Sequence, residues 1–334
     1  MFHRSMNAFV LLLMTVSLTA FAEEKREFIK PSEVSGVYQL QGEYVGETIP
    51  QSDGEKAEKI ASQLVARGGN EFYAVVYMGG LPGAGWKRGD EMFTGKGVVK
   101  DDMTGVFTTD AGDRVAVQFK GKDVVVLKDG KAIRKYTKVM RKSPTLGKKP
   151  PQNAMVLFDG TAKGAKKFKN GKIVLGNLLK HDCESLAKFG DHQLHVEFRT
   201  PFMPYARGQG RGNSGMYLQG RYECQILDSF GLEGKNNECG GIYSIAEPIV
   251  NMALPPLTWQ TYDVDFTAAR YAATGEKVRN ARVTIRHNGV VIHNNLELPN
   301  GTPGKYPEGP GKGPLYLQGH GNPVVFKNVW AVAK

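Results

Sequence analysis

The sequence predicts a mainly β protein: a smaller β-rich N-terminal domain with one helix, then a two-sheet β-sandwich of jelly-roll type. Three observations lead there. Glycine supplies 41 of the 334 residues, which favours a turn-rich β fold over a helical bundle. Short runs of alternating apolar and polar residues fill the second half of the chain. Between the halves, "RKSPTLGKKPPQN" (141–153) concentrates Pro, Lys, Ser and Gly without apolar periodicity. It reads as a linker over 143–153, dividing a unit at about 28–142 from one at 154–334.

The first 22 residues read as a secretory leader. Arg4 is the positive n-region, "AFVLLLMTVSLTA" the apolar h-region, and Ala20-Phe21-Ala22 fits the small-x-small cleavage rule. No Cys follows, so no lipid anchor is expected, and the mature chain is expected to begin at Glu23 outside the cytoplasm. No later stretch is apolar for long enough to span a bilayer.

In the N-terminal unit, "SDGEKAEKIASQLVARGG" (52–69) places Ala57, Ile60, Ala61, Leu64 and Val65 at helical spacing. Ser52 suits an N-cap with Glu55 three residues on, and Gly68 suits a stop. Three strand-like runs follow, the last turning at Asp129-Gly130, a strong hairpin signal. "GGLPGAGW" (79–86) is a loop whose Trp86 is either a sugar-stacking platform or an anchor to the core.

In the C-terminal unit, "LHVEFRT" sends Leu194, Val196 and Phe198 one way and His195, Glu197 and Arg199 the other. "ARVTIRHNGVVIHNN" forms a hairpin at Asn288-Gly289, and "PVVFKNVWAV" is the closing strand. The tetrapeptide YLQG occurs twice. At its first occurrence Met216 and Leu218 face the core, Tyr217 and Gln219 face away, and Gly220-Arg221 turns the chain. The return strand gives Tyr222, Cys224 and Ile226 to the core and Glu223 with Gln225 to the polar face. At the second, Leu315 and Leu317 point inward, Tyr316 and Gln318 outward, with His320 two residues on. Glu197, Arg199, Gln219, Glu223, Gln225, Gln318 and His320 are therefore expected to line one concave sheet face, with Gln219 and Gln318 in one cavity. Such a face offers the donors and acceptors a sugar needs, and its carboxylates and His permit acid–base work. The alternative is the solvated outer face of a sandwich.

The remaining features exclude more than they assign. The formal charge is +11, but the basic residues are scattered, clustering only at 163–172 and 147–151, with no nucleic-acid motif. "GQGRGNSG" (208–215) lacks phosphate-loop spacing and reads as a loop that approaches a site. "KHDCES" (180–185) reads as a polar loop, and His287 and His293 as exposed hairpin residues. Three cysteines leave at least one unpaired; Cys183 and Cys239 are a candidate pair, and Cys224 belongs to a strand.

A resemblance adds to this reading. "LFDG" (157–160), "FGDHQLHVEFR" (189–199), "GNSGMYLQGRYECQILDS", "NECGGIY" (237–243), "PPLTWQTYDVDF" (255–266), "ARVTIRHNGVVIHNN" and "GPLYLQGHGNPVVFKNVW" occur in this order. The series resembles the 3-keto-disaccharide hydrolase family over roughly 154–334 and does not reach the N-terminal unit. The resemblance implies a concanavalin-like jelly roll in exported bacterial proteins that act on oxidised glycosides. A separate oxidoreductase first converts a sugar C3 hydroxyl to a ketone. The ketone acidifies the C2 proton, a base removes it, the C1 substituent leaves by β-elimination, and water adds back. Under this reading Glu223 or His320 transfers protons, and Arg199 or a divalent cation stabilises the enolate. Asn213, Tyr217, Gln219, Gln225, Tyr316 and Gln318 hold the sugar, with Glu197 and Asp228 as reserve acid–base or metal-binding groups. Competing readings are a carbohydrate-binding module on the same fold and a two-carboxylate glycosidase.

Overall fold

The computed structural model describes residues 26–334, so the expected leader lies outside the described residues. Eight antiparallel strands of the N-terminal half close into a barrel: Gly42–Thr48, Lys59–Ala66, Glu71–Met78, Met92–Val99, Thr104–Thr109, Arg114–Lys120, Asp123–Lys128 and Lys131–Val139. Each pairs with the next along the chain, and the last returns to the first, which leaves no free sheet edge. Asp129 and Gly130 both take positive φ (51° and 78°), as a two-residue hairpin turn requires.

The helix expected over 52–69 is instead the barrel strand Lys59–Ala66, buried from Ile60 onward on both faces. Ile60, Leu64 and Ala66 belong to the barrel core, whereas Val65 lies on Gly231 of the sandwich. An apolar demand on both faces erases the alternation of an ordinary strand. What remains, Ile60-Ala61 and Leu64-Val65, coincides with helical spacing. Gly68 does stop the element, at φ 98°. Among the described residues the α-helix is the single turn Ala162–Ala165.

The C-terminal half is a sandwich of an eight-stranded and a five-stranded sheet. The large sheet runs Ile173–Val174, Leu178–Lys180, Val325–Ala333, His192–Arg199, Gln260–Thr267, Ala281–His287, Val290–Leu298, and Met155–Phe158 also pairs with Val325–Ala333. The small sheet runs Phe168–Lys169, Cys183–Phe189, Gly313–Leu317, Ser214–Leu218, Tyr222–Ile226. Leu194, Val196 and Phe198 meet Met216, Leu218, Leu315 and Leu317 in the core between them, as their alternation predicts.

The barrel is joined to this core. Val75, Tyr77 and Trp86 belong to the same apolar cluster as Leu227 and Met252. Trp86 is buried, packs edge-on against Tyr77 and donates its indole N–H to the Asp90 carbonyl, so it anchors its loop. Arg88 donates to the carbonyls of Glu233, Gly234, Pro248 and Ile249.

Residues 143–153 have no strand, but they are docked. Ser143 Oγ lies 2.6 Å from Thr261 Oγ1, Gly147 N donates to Glu197 Oε1 at 2.6 Å, and the Lys148 carbonyl accepts from Trp330 and Asn328. Cys183, Cys224 and Cys239 are all free and buried, so the candidate Cys183–Cys239 pair is not formed. Cys183 opens a core strand rather than lying in a loop, and Cys239 Sγ sits 3.2 Å from the Tyr262 hydroxyl. His287 and His293 are buried too, bonded to Gln260 and the Gly240 carbonyl. Loop 230–254 folds over that hairpin, a contact that no local pattern reveals.

Candidate active site

Strand register carries one row of side chains across the whole small sheet. Lys169 pairs with Glu184, Glu184 with Tyr316, Tyr316 with Tyr217, and Tyr217 with Glu223. Directly paired residues share a face, so all five project from the side opposite the core. The neighbouring row, Cys183, Leu317, Met216 and Cys224, fills the core instead. Sheet parity thus builds the site from five separate segments.

Glu223 is its centre. It is 3% exposed, its backbone N–H donates to Thr302 Oγ1 at 2.9 Å, and Gly215 lies beneath its carboxyl. A Cβ at Gly215 would fall 2.2 Å from Glu223 Oε1, so only glycine leaves room for the acid. Burial pushes the carboxyl up to about 7, and a hydrogen bond from Tyr217 opposes the shift. The Tyr217 hydroxyl also reaches the Pro303 carbonyl at 3.2 Å and accepts from Gln318 Nε2 at 3.1 Å. Its one proton therefore serves either Glu223 or Pro303.

Amides border the acid. Asn213 Nδ2 donates to the Gln209 carbonyl and side chain, and Gln225 Nε2 donates to Gln209 Oε1. Asn213 Oδ1 and Gln318 Oε1 are buried acceptors without a partner. Orphaned acceptors beside a buried acid suit the hydroxyls of a polyol.

A strap, residues 299–312, covers this face. Tyr306 OH donates to Glu184 Oε2 at 2.9 Å, and Lys305 Nζ pairs with the same oxygen at 2.9 Å while lying 4.3 Å from the Tyr316 ring centroid. Burial raises the Glu184 carboxyl, but these hydrogen bonds and the Lys305 and Lys169 charges outweigh it and hold the group below its usual range. Two acids on one row are thus driven apart, Glu184 ionised and Glu223 near neutrality.

The structure brings together Glu223, Tyr217, Tyr316, Gln318, Gln225 and Asn213, and places the other expected residues elsewhere. Glu197 and Arg199 project from the outer face of the large sheet. There Glu197 is covered by the linker and bonded to Gly147 and Asn328, and Arg199 donates to the Ile29 carbonyl beside Trp259. The alternation in "LHVEFRT" gave their face correctly but could not tell which sheet carried it. Asp228 lies beyond its strand and is tied to Arg211 Nε at 2.7 Å. Gln219 enters the turn with φ 55°, which swings its amide to the Phe189 carbonyl. Gln318 N donates to Gly215 O, so the two glutamines sit at opposite ends of the strand pair, about 13 Å apart along it. They do not share a cavity. His320 is exposed just past the end of its strand.

Sequence reasoning missed Glu184, Lys305, Tyr306, Gln209 and Thr302. For Glu184 a signal existed: "CESLAKF" opens with Cys183 and Ser185 buried toward one side and Glu184 between them. The others reach the site through loops, which carry no parity. As for metal, the site face offers Glu223 and the already paired Glu184 among neutral amides and phenols. No group of three or more His, Cys, Asp or Glu side chains among the described residues is placed to hold an ion.

Comparison with known proteins gives a consistent result. A family model described as a 3-keto-alpha-glucoside-1,2-lyase-like domain matches residues 123–332. The match begins earlier than the resemblance over 154–334 and takes in the last barrel hairpin, Asp123–Val139. A solved structure from Parabacteroides distasonis, described as a candidate glycosyl hydrolase, shares 31% identity at a TM-score of 0.50, covering 55% of this chain and 84% of that one. Two more candidate glycosyl hydrolases from that organism share 16% and 17% identity at TM-scores of 0.38 and 0.36, covering 54% and 57% of this chain and 99% and 92% of theirs. No curated protein matches the chain.

Proposed function

The chain belongs to the 3-keto-alpha-glucoside-1,2-lyase-like family, and we propose that its small-sheet face cleaves 3-keto-glycosides by elimination and rehydration. The observation that carries this reading is Glu223, a buried carboxyl at about 7 among neutral hydrogen-bonding groups. A general base is most effective when its pKa lies near the working pH. A C3 ketone makes the C2 proton acidic because the carbanion is delocalised onto the carbonyl oxygen. Glu223 takes that proton and the C2 electrons delocalise onto the C3 oxygen as an enolate; the C3 carbonyl then re-forms as the C1–C2 double bond forms and the C1–O bond breaks with its electron pair on the leaving oxygen. The leaving oxygen takes a proton from solvent, since His320 lies exposed past the end of its strand. Water then adds across the double bond, and the net reaction is hydrolysis.

The Tyr217 hydroxyl and the Gln318 amide replace Arg199 as the donors for the enolate oxygen. Asn213, Gln225 and Tyr316 border the space for the sugar, and no step runs through a metal. The reaction requires a partner activity that oxidises the C3 hydroxyl beforehand. Export of the chain follows from the leader-like first 22 residues, and no helix among the described residues is long and apolar enough to cross a membrane.

Two features favour this over the competing readings. A carbohydrate-binding module has no use for an acid held near neutrality by burial. A two-carboxylate glycosidase needs its carboxyls about 5.5 Å or about 6.5–9.5 Å apart. Glu184 and Glu223 are three strand steps apart, about 14 Å between their backbones, with Tyr316 and Tyr217 filling the space between them. The test pairs a 3-keto-glucoside with its unoxidised parent and measures released aglycone. Release from the keto compound alone is expected; release from the parent alone, or from neither, sinks the mechanism.

A further inference from the structure

The barrel holds a hollow of about 410 Å³, open at one end, for which the proposed reaction has no use. An eight-stranded barrel is just wide enough either to fill with side chains or to hold one small ligand. Here many interior positions are modest in size, Ala74, Val76, Val115, Val117 and Val126 among them, beside the larger Tyr44 and Phe107. An apolar cavity of roughly 150 Å³ already accepts benzene, and small-molecule pockets begin at roughly 300 Å³.

The two ends differ. Phe28, Val37, Tyr38 and Leu40 join Phe72, Val99 and Phe202 in one apolar cluster, which stoppers the barrel there. The opposite rim carries Met92 and Phe93, each 39% exposed, together with Asp110 and Asp113. Asp113 is paired with Lys128 at 2.7 Å. Two polar groups reach the cavity wall from the same strand. Tyr136 is 6% exposed, and its hydroxyl is buried with no hydrogen-bond partner. Arg134, two residues along, has no ion pair with another described residue. A buried hydroxyl and a neighbouring guanidinium facing an apolar hollow form a receptor for one acidic head on an apolar body.

We propose that the barrel binds a small amphiphile, its medium-length apolar chain inside the cavity and its carboxylate held by Arg134 and the Tyr136 hydroxyl. The site is separate from the small-sheet face, so the inference stands or falls independently of glycoside cleavage. Isothermal titration of the full chain with decanoate, and with decanol as the uncharged comparison, tests it. Saturable one-to-one binding of decanoate is expected. Ala74→Trp fills the cavity and removes binding; Val117→Phe does the same in case the first variant fails to fold, which circular dichroism reports. Arg134→Gln weakens decanoate at least tenfold and leaves decanol unchanged. Absence of saturable decanoate binding, or binding untouched in both folded cavity-filling variants, overturns the proposal. Equal loss of decanoate and decanol in Arg134→Gln overturns the carboxylate contact.

Discussion

A carboxyl enclosed by a sheet, a strap and two tyrosines loses the water that would solvate its charge, and Glu223 is pushed to about 7 from an ordinary 4.5. Folding therefore favours its neutral form. That contribution to stability is fully present below about pH 4.5 and is lost as pH rises through about 7, amounting to about 3 kcal/mol. Glu223→Gln should gain stability relative to wild type between pH 4 and pH 8, read by urea unfolding; a difference flat with pH rejects burial as the cause. Under the proposed mechanism activity runs the opposite way, because the base works ionised. The acid limb of kcat/KM on a 3-keto-glucoside should fall at about 7, and Glu223→Gln should lose roughly a hundredfold to ten-thousandfold in kcat. Full activity in that variant removes Glu223 from the role of base. Glu223 was legible because a strand's period of two fixes its face. Gln219 was not, because one residue at positive φ cancels that period.

Among the elements, the linker does more than connect the barrel to the sandwich. Its Pro, Lys and Gly content describes the backbone correctly, as residues without strand pairing, yet it clamps the outer face of the large sheet. Beneath it, His195 is fully buried, with Nδ1 2.9 Å from Asp263 and Nε2 3.4 Å from Glu197, and it stacks on Trp330. Burial alone would lower its pKa, but the two carboxylates outweigh that and raise it above 6.5. A raised value means stability that is whole below pH 6.5 and is lost as pH climbs through the folded value. The melting-temperature gap between wild type and His195→Gln should therefore be wider at pH 6 than at pH 9. A gap that widens instead with pH contradicts the assigned contacts. The strap 299–312 was equally invisible in detail: a Gly/Pro loop declares itself as a loop but not as the cover of a particular face.

At the scale of the molecule, the shared core decides how the halves behave. Val75, Tyr77 and Trp86 are barrel residues by chain position and sandwich residues by packing. Trp86→Ala removes a buried indole from that junction and should cost about 3–5 kcal/mol. Calorimetry of the wild type should show one transition for barrel and sandwich, which this variant splits or broadens. Two independent wild-type transitions would mean that the shared cluster does not couple them.

By itself the sequence determined the sandwich, its core residues and the polar face of Glu223, because alternation and two-residue turns are local consequences of backbone geometry. It also carried enough ordered segments to identify a family. Only the tertiary structure decided which sheet each polar face belongs to, that a helix-like pattern is a barrel strand, and that a linker and a strap cover two opposite faces. These are outcomes of long-range packing: a strand's parity names two sides, and only its neighbours determine what each side meets.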